Sequence, residues 1–441
     1  MKTNSNLIFH HLLWRGLYFL SVLFLNVWIA RFFAAEKSGQ IFYIVNNLAF
    51  LLLIVSLSLE SGATYYIASG KIDAVALAGF CSIWALAASV IAIAGWAAIL
   101  YLMDSTHIRE AGFLFISFLF IIGILLSTYF TALFYAEKEF DLPNKLLFIV
   151  NAVLIILLLA FKGQPLIRTH FIGIYFFTFF LQGLLLMILF YLKKFRSVNF
   201  RMPQWPILKK VIQYSLAALL ANCIYFLVNR IDYWFVQFYC SPAELGNYVQ
   251  ASKLAQMLLL IPGILGASLF PIFTSSEKSK NAEQVISVMR ILLLLNGVVC
   301  FIIICVGWYF IPIIFGPSFY HMYLLFVMLV PGILCVTMNY PMAAWFSSDN
   351  RVRINIRGSM LALTIICAGD VLLLPHFGVE AAAVMSSAGF LSFYCYTVYT
   401  YRKEFPHPWR EFLIIRRSDI MRIRQVIGNK IQVPLTENPI V

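Results

Sequence analysis

The sequence predicts an all-α integral membrane protein of about twelve transmembrane helices arranged as two six-helix halves. Three observations carry this. Of 441 residues, 62% are hydrophobic and only 12% charged, against about 45–50% and about 25% in soluble domains, so the apolar excess must face lipid. The apolar residues fall in runs of 18 or more, long enough to cross a hydrocarbon core about 30 Å thick at ~1.5 Å per residue. Short alternating segments, the mark of a β-barrel, are absent. In lipid each span must satisfy its own backbone hydrogen bonds, which selects helices.

Taken in order, the spans run roughly over 12–33, 41–68, 74–103, 111–135, 145–161, 166–192, 211–239, 246–273, 285–314, 319–346, 353–375 and 379–401. The first begins at Arg15 and is long enough to span, so it reads as a helix and not as a cleavable signal. The second carries Glu60, the seventh Asp232 and the eleventh Asp370. Helix breakers mark the eighth (Pro262, Gly263, Gly266) and the tenth (Pro331, Gly332, Pro341). The connections are short, and 193–210 is the longest polar stretch between spans. The expected organisation is a bundle over 1–192, a basic linker over 193–210, a second bundle over 211–401 and a basic tail over 402–441.

The net charge of +13 does not point to nucleic acid, because the basic residues lie between spans and in the tail. Lys71, Lys138, Lys145, Lys193, Arg196, Lys209 and Arg351 fall in alternate loops, on the same side as both termini; the opposite loops hold only Arg31, Lys37, Arg109, Lys162 and Arg168. That asymmetry places both termini in the cytoplasm, which requires an even span count, and twelve satisfies it. The tail over 409–427 interleaves arginines with Trp409, Phe412, Leu413 and Ile420, and reads either as an amphipathic helix on the inner leaflet or as a disordered basic tail. The eight scattered cysteines form no CxxC pair and read as small buried apolar residues.

The two halves echo each other. Glu36-Lys37-Ser38-Gly39 after the first span corresponds to Glu244-Leu245-Gly246-Asn247-Tyr248 after the seventh. Ala132-Leu133-Phe134-Tyr135 before Asn144 corresponds, at nearly the same interval, to Ala343-Ala344-Trp345-Phe346 before Asn355. Parallel repeats of this kind recur in transporters, with the substrate path at their interface.

Polar residues inside spans are costly and mark function by default. In the seventh span Ser215, Asn222, Tyr225, Asn229, Asp232 and Tyr239 share one helical face, and Arg230 flanks it. The stripe suits a water-lined cavity; helix–helix contact is the other reading. Lys253 lies two turns into the eighth span between Gln250 and Gln256. Arg15 and Arg31 bracket the first span with Asn26 between them, and Glu60 lies in the second with Asn46. Arg15 and Arg31, near span ends, are also placed to snorkel. Glu60, Asp232 and Asp370 are candidates for an ion that couples to transport. No phosphate-binding glycine loop, HExxH, GxSxG or spaced Cys/His set occurs, so no catalytic residue, cofactor or metal site is expected and ATP is not the energy source.

Asn229-Arg230-Ile231-Asp232, Glu244 to Tyr248, and 251–271 ending in Leu269-Phe270-Pro271 resemble the seventh and eighth helices of the Wzx-type polysaccharide flippases. Those belong to the multidrug/oligosaccharidyl-lipid/polysaccharide exporter superfamily, and span count and loop lengths agree over nearly the whole chain. The resemblance implies a central cavity between the bundles, alternating access, and no enzyme activity. The implied substrate is an undecaprenyl-pyrophosphate-linked oligosaccharide in the bacterial cytoplasmic membrane, destined for O-antigen, capsule or exopolysaccharide. It implies that Arg15, Arg31, Arg230 and Lys253 meet pyrophosphate and sugar acids, which need charge-assisted donors, and that tyrosines such as Tyr225, Tyr233 and Tyr248 contact sugar rings. The implied partners are the lipid bilayer, a proton or sodium ion, a polymerase and glycosyltransferases. Two other readings stand beside it: a cation-coupled multidrug antiporter of the same superfamily, and a membrane glycan polymerase, for which the outer loops are short.

Overall fold

A computed structural model describes residues 4–102, 111–161, 165–194, 203–275 and 278–412, with Ile414 and Asp419 beyond them. Every long element among these is helical: α1 (Asn4–Ser56), α2 (Leu59–Ala68), α3 (Ala74–Leu102), α4 (Ala111–Ala136), α5 (Asp141–Ala160), α6 (Pro165–Lys194), α7 (Trp205–Arg230), α8 (Asp232–Tyr239), α9 (Pro242–Leu258), α10 (Leu260–Ser275), α11 (Lys278–Phe315), α12 (Met322–Ser348), α13 (Val352–Phe377) and α14 (Val379–Arg402). Eleven of the runs are long and apolar enough to cross a membrane. The first of them, Leu13–Ser56, has 44 residues and would reach about 66 Å, roughly two hydrocarbon thicknesses. Its helix is interrupted at Ala34 (φ 58°, ψ 178°), so it holds two spans, which gives twelve.

Three expected spans each comprise two helices. The second breaks at Leu57 and Ser58, both at positive φ (52° and 49°). The seventh passes from α7 to α8 at Ile231, where the backbone stays in the helical region (φ −62°, ψ −36°). The eighth breaks at Leu259, just before Pro262 in the first turn of α10, where a proline lacks a donor without cost.

The chain forms two compact units, Met1–Phe226 and Leu227–Val441. The boundary thus falls inside α7, not in the 193–210 linker. In unit 1, α4 and α6 cross at two glycines: a Cβ on Gly183 would stand 2.2 Å from the Gly123 carbonyl oxygen. With no hydrophobic force between helices in lipid, such close backbone approach is how they gain packing energy. Polar glue adds to it. Asn151 Nδ2 donates to Ser21 Oγ at 2.9 Å, and Gln182 Nε2 donates to Asn151 Oδ1 at 2.7 Å, linking α1, α5 and α6.

Unit 2 uses the same devices. A Cβ on Gly332 would meet the Ser387 Cα at 2.8 Å, and Ser387 enters the α12 ladder, donating to the Met328 carbonyl at 2.6 Å and accepting from Gly332 N at 3.3 Å. This lies beside Pro331, where the helix has already lost a hydrogen bond. Asn296 donates to Thr337 and Thr397 donates to Asn339, both at 2.6 Å. Phe412, beyond α14, is fully buried against Tyr401 in an aromatic cluster with Trp345 and Phe346. Neither reading of the tail, an interfacial helix or a disordered segment, places Phe412 in a packed core. Asp419 pairs with Arg290 on α11 at 2.8 Å, both buried. Trp409–Phe412 is a 3-10 turn; most of the rest of the expected tail helix lies outside the described residues.

The repeat has a structural counterpart in the α4–α5 and α12–α13 hairpins. Each turns through a positive-φ residue, Lys138 (62°) and Asn350 (58°). Each is tied by the asparagine that follows: Asn144 accepts from Tyr135 at 2.9 Å, and Asn355 donates to the Ala343 carbonyl at 3.0 Å. All eight cysteines are free, but only Cys81, Cys300 and Cys335 are buried, while Cys305 and Cys395 are exposed. The expectation that most are buried fails because an apolar side chain on a membrane helix is as stable facing lipid as facing protein.

Candidate functional site

Unit 1 carries a cavity of about 930 Å³ whose lining includes Arg15 on α1, Glu60 and Tyr65 on α2, Tyr135 on α4, Asn144 on α5 and Tyr214 on α7. The break before α2 shapes it. Left-handed Leu57 and Ser58 leave carbonyls of α1 without helical partners, and side chains from neighbouring helices fill them. Tyr129 Oη donates to the Ser56 carbonyl at 2.9 Å, and Trp84 Nε1 to the Val55 carbonyl at 3.0 Å. Ser56 Oγ accepts from Ser58 N, and Ser58 Oγ from Asn222 Nδ2, both at 3.1 Å. Irregular backbone at membrane depth survives only where protein satisfies it in this way. The break delivers Glu60 to the cavity wall with Oε2 buried and no hydrogen-bond partner among the described residues.

Unit 2 holds the second constellation. Asp232 opens α8, and its Oδ2 accepts from the Tyr248 hydroxyl on α9 and from Ser386 Oγ on α14 (2.9 Å to Ser386). Asp370 lies on α13, which packs against α8, and has no exposed surface (0%). Asp232 Oδ1 and both oxygens of Asp370 are buried and have no hydrogen-bond partner among the described residues. Buried carboxylate oxygens without hydrogen-bond partners are costly to keep ionised.

Arg230 ends α7 and Lys253 lies on α9. Both are half-buried in unit 2. Around them Gln256 Nε2 donates to the Asn229 carbonyl at 3.4 Å and to Ser252 Oγ at 3.3 Å, and Gln250 is buried on the same helix.

The remaining expected site residues are scattered. Asn26 donates to the Val22 carbonyl of its own helix at 2.9 Å. Arg31 is exposed near the Ala34 break and Asn46 is buried within α1; neither lines the unit 1 cavity. The polar stripe of the seventh span does not form one wall. Ser215 packs against Gly62, Asn222 bonds Ser58, and Tyr225 is 60% exposed, so its first half is helix–helix contact in unit 1. Tyr233 and Tyr248 are buried, stacked edge to face at 5.9 Å, and cannot present rings to a sugar. Ser386 went unforeseen, since a serine in a small-residue run carries no periodic signal; so did Tyr65 and Tyr214, far apart in sequence.

No family model matches the chain, and no curated protein does. Solved structures do. A mutant of the Vibrio cholerae MATE transporter VcmN is 12% identical, with a TM-score of 0.62 over 92% of this chain and 99% of that one. The lipid II flippase MurJ, inward closed, is 12% identical with a TM-score of 0.64 over 97% and 93%. An inward-facing multidrug resistance MATE family transporter of the MOP superfamily is 11% identical with a TM-score of 0.65 over 88% and 94%. The chain therefore has the fold of MOP-superfamily transporters and is a multi-pass membrane protein. Its structural neighbours are transporters and flippases, not enzymes.

Proposed function

We propose that the chain is a flippase that carries an undecaprenyl-pyrophosphate-linked oligosaccharide from the cytoplasmic to the outer leaflet of the bacterial inner membrane, by alternating access, for surface polysaccharide assembly. Fold does not decide between flippase and drug antiporter, because MurJ and MATE neighbours are equally similar. The observation that carries the reading is that unit 2 holds two partly buried basic side chains within its helices, Arg230 at the end of α7 and Lys253 on α9. Basic side chains held within a unit of membrane-length helices disfavour a cationic drug and suit a pyrophosphate, which needs charge-assisted donors.

Asp232 and Asp370 favour the antiporter reading at first sight. However, Tyr248 and Ser386 close over Asp232, and Asp370 is wholly buried. That space suits a proton or a bare metal ion such as sodium, not a drug. It is the coupling site in this account, with Glu60 in unit 1 left for the substrate. Both termini lie in the cytoplasm, and polymerase and glycosyltransferases act before and after the flip.

The test is complementation of a host lacking the gene. Arg230→Glu and Lys253→Glu, at normal protein levels, lower surface glycan at least about tenfold, while Arg230→Lys retains most of it. Undiminished glycan in both reversals, or resistance to cationic dyes on overexpression, contradicts the reading.

A further inference from the structure

The unit 1 cavity has a chemistry different from that around Arg230 and Lys253. Its charged lining groups are one guanidinium, Arg15, and one carboxylate, Glu60, so its formal charge is zero. The remaining polar lining is Asn144 and hydroxyls of serine, threonine and tyrosine, among them Tyr18, Ser127 and Thr131. Tyr65 and Tyr214 stack nearly parallel, with centroids 4.8 Å apart and planes 9° apart, and stay 46% and 43% exposed. Lys71 sits over the rings of Tyr65 and Tyr66 at 5.4 and 5.7 Å, but it does not line the cavity.

A pyrophosphate seeks an excess of fixed positive donors and is repelled by a carboxylate. An uncharged sugar presents vicinal hydroxyl donors to a carboxylate, acceptors to hydroxyls that rotate to suit, and an apolar ring face to an aromatic platform. The volume lies in the range of small-molecule sites, about 300–1,000 Å³. The lining residues run along α2 from Glu60 to Ala68 and extend to the end of the unit where α1 starts and α4 and α5 meet. That end carries the basic loops with Lys71, Lys138 and Lys145, where a newly made glycan arrives.

We infer that this cavity is a subsite for uncharged sugars of the glycan, read by Glu60 and the Tyr65–Tyr214 platform, and that Arg15 belongs to it and not to a pyrophosphate clamp. The inference rests on the flippase reading and deepens it.

The test uses the purified full-length chain and two separate probes. One is the reducing oligosaccharide released by mild acid from lipid-linked intermediates that accumulate when the gene is deleted; the other is inorganic pyrophosphate. The oligosaccharide binds wild-type protein, and Glu60→Gln and Tyr214→Ala each weaken it at least about tenfold. Neither change alters pyrophosphate binding more than about twofold. Tyr65→Ala, at an exposed position, repeats the loss should Tyr214→Ala fold poorly. Oligosaccharide binding that ignores all three variants overturns the subsite. So does pyrophosphate binding that is lost in Arg15→Ala while oligosaccharide binding persists, or no oligosaccharide binding by a chain that restores surface glycan. Should the deletion accumulate no lipid-linked glycan at all, the flippase reading itself falls and takes the inference with it.

Discussion

Single buried charges set the chemistry. Asp370 stands out because both its oxygens are buried and unfilled, and an uncompensated carboxylate at this depth destabilises the fold. Binding of a proton or a metal cation there is expected to relieve that. Such a cation stabilises by mass action, about 2.7 kcal/mol at a hundredfold excess over its Kd. Melting of the purified chain across sodium concentrations at constant ionic strength, and across pH, detects it. Wild-type protein gains stability from one of the two cations, and Asp370→Asn loses that response. An equal response in the variant removes the coupling site. These residues were legible in the sequence as acids inside apolar runs. Their partners were not: Ser386 stands 154 positions from Asp232, and only the fold brings them together.

At the scale of elements, helices are held by backbone approach and by side chains that repair breaks. Gly183→Val drives a side chain into the Gly123 carbonyl and costs about 1–3 kcal/mol or more, read as a fall in Tm and in folded yield. Gly297→Ala is the control, because nothing lies within 4 Å of its Cβ position; it does not lower Tm. Tyr129→Phe strips the hydroxyl from the Ser56 carbonyl and leaves a buried acceptor empty, at about 1–3 kcal/mol. Unchanged stability there means that the α1–α2 break satisfies itself. Nothing in Ile54 to Glu60 announced that break. It has no proline or glycine, and the span reads as continuous because Trp84 and Tyr129, which hold it open, come from other helices. The break at Leu259 was different: Pro262 signalled it locally.

For the whole molecule, apolar run length made the span count readable, and the matched asparagine-tied hairpins give the sequence repeat a physical form. The unit boundary inside α7 was not readable, since it depends on α7 packing its first half against α2. The seventh-span stripe misled for the same reason: one helical face serves contacts in unit 1 and then polar groups in unit 2. Function at this scale depends on net direction. A flippase moves its substrate's headgroup from the basic-loop side to the opposite face, and its loss traps that headgroup where it was made.

The most direct measurement is therefore the membrane face on which lipid-linked glycan resides after the gene is deleted from its host, determined by a probe that cannot cross the inner membrane. The account predicts undecaprenyl-linked glycan trapped on the cytoplasmic face, surface polysaccharide lost, and both restored by the wild-type chain. Normal surface polysaccharide with no trapped intermediate, in a host shown to have no second flippase, contradicts it.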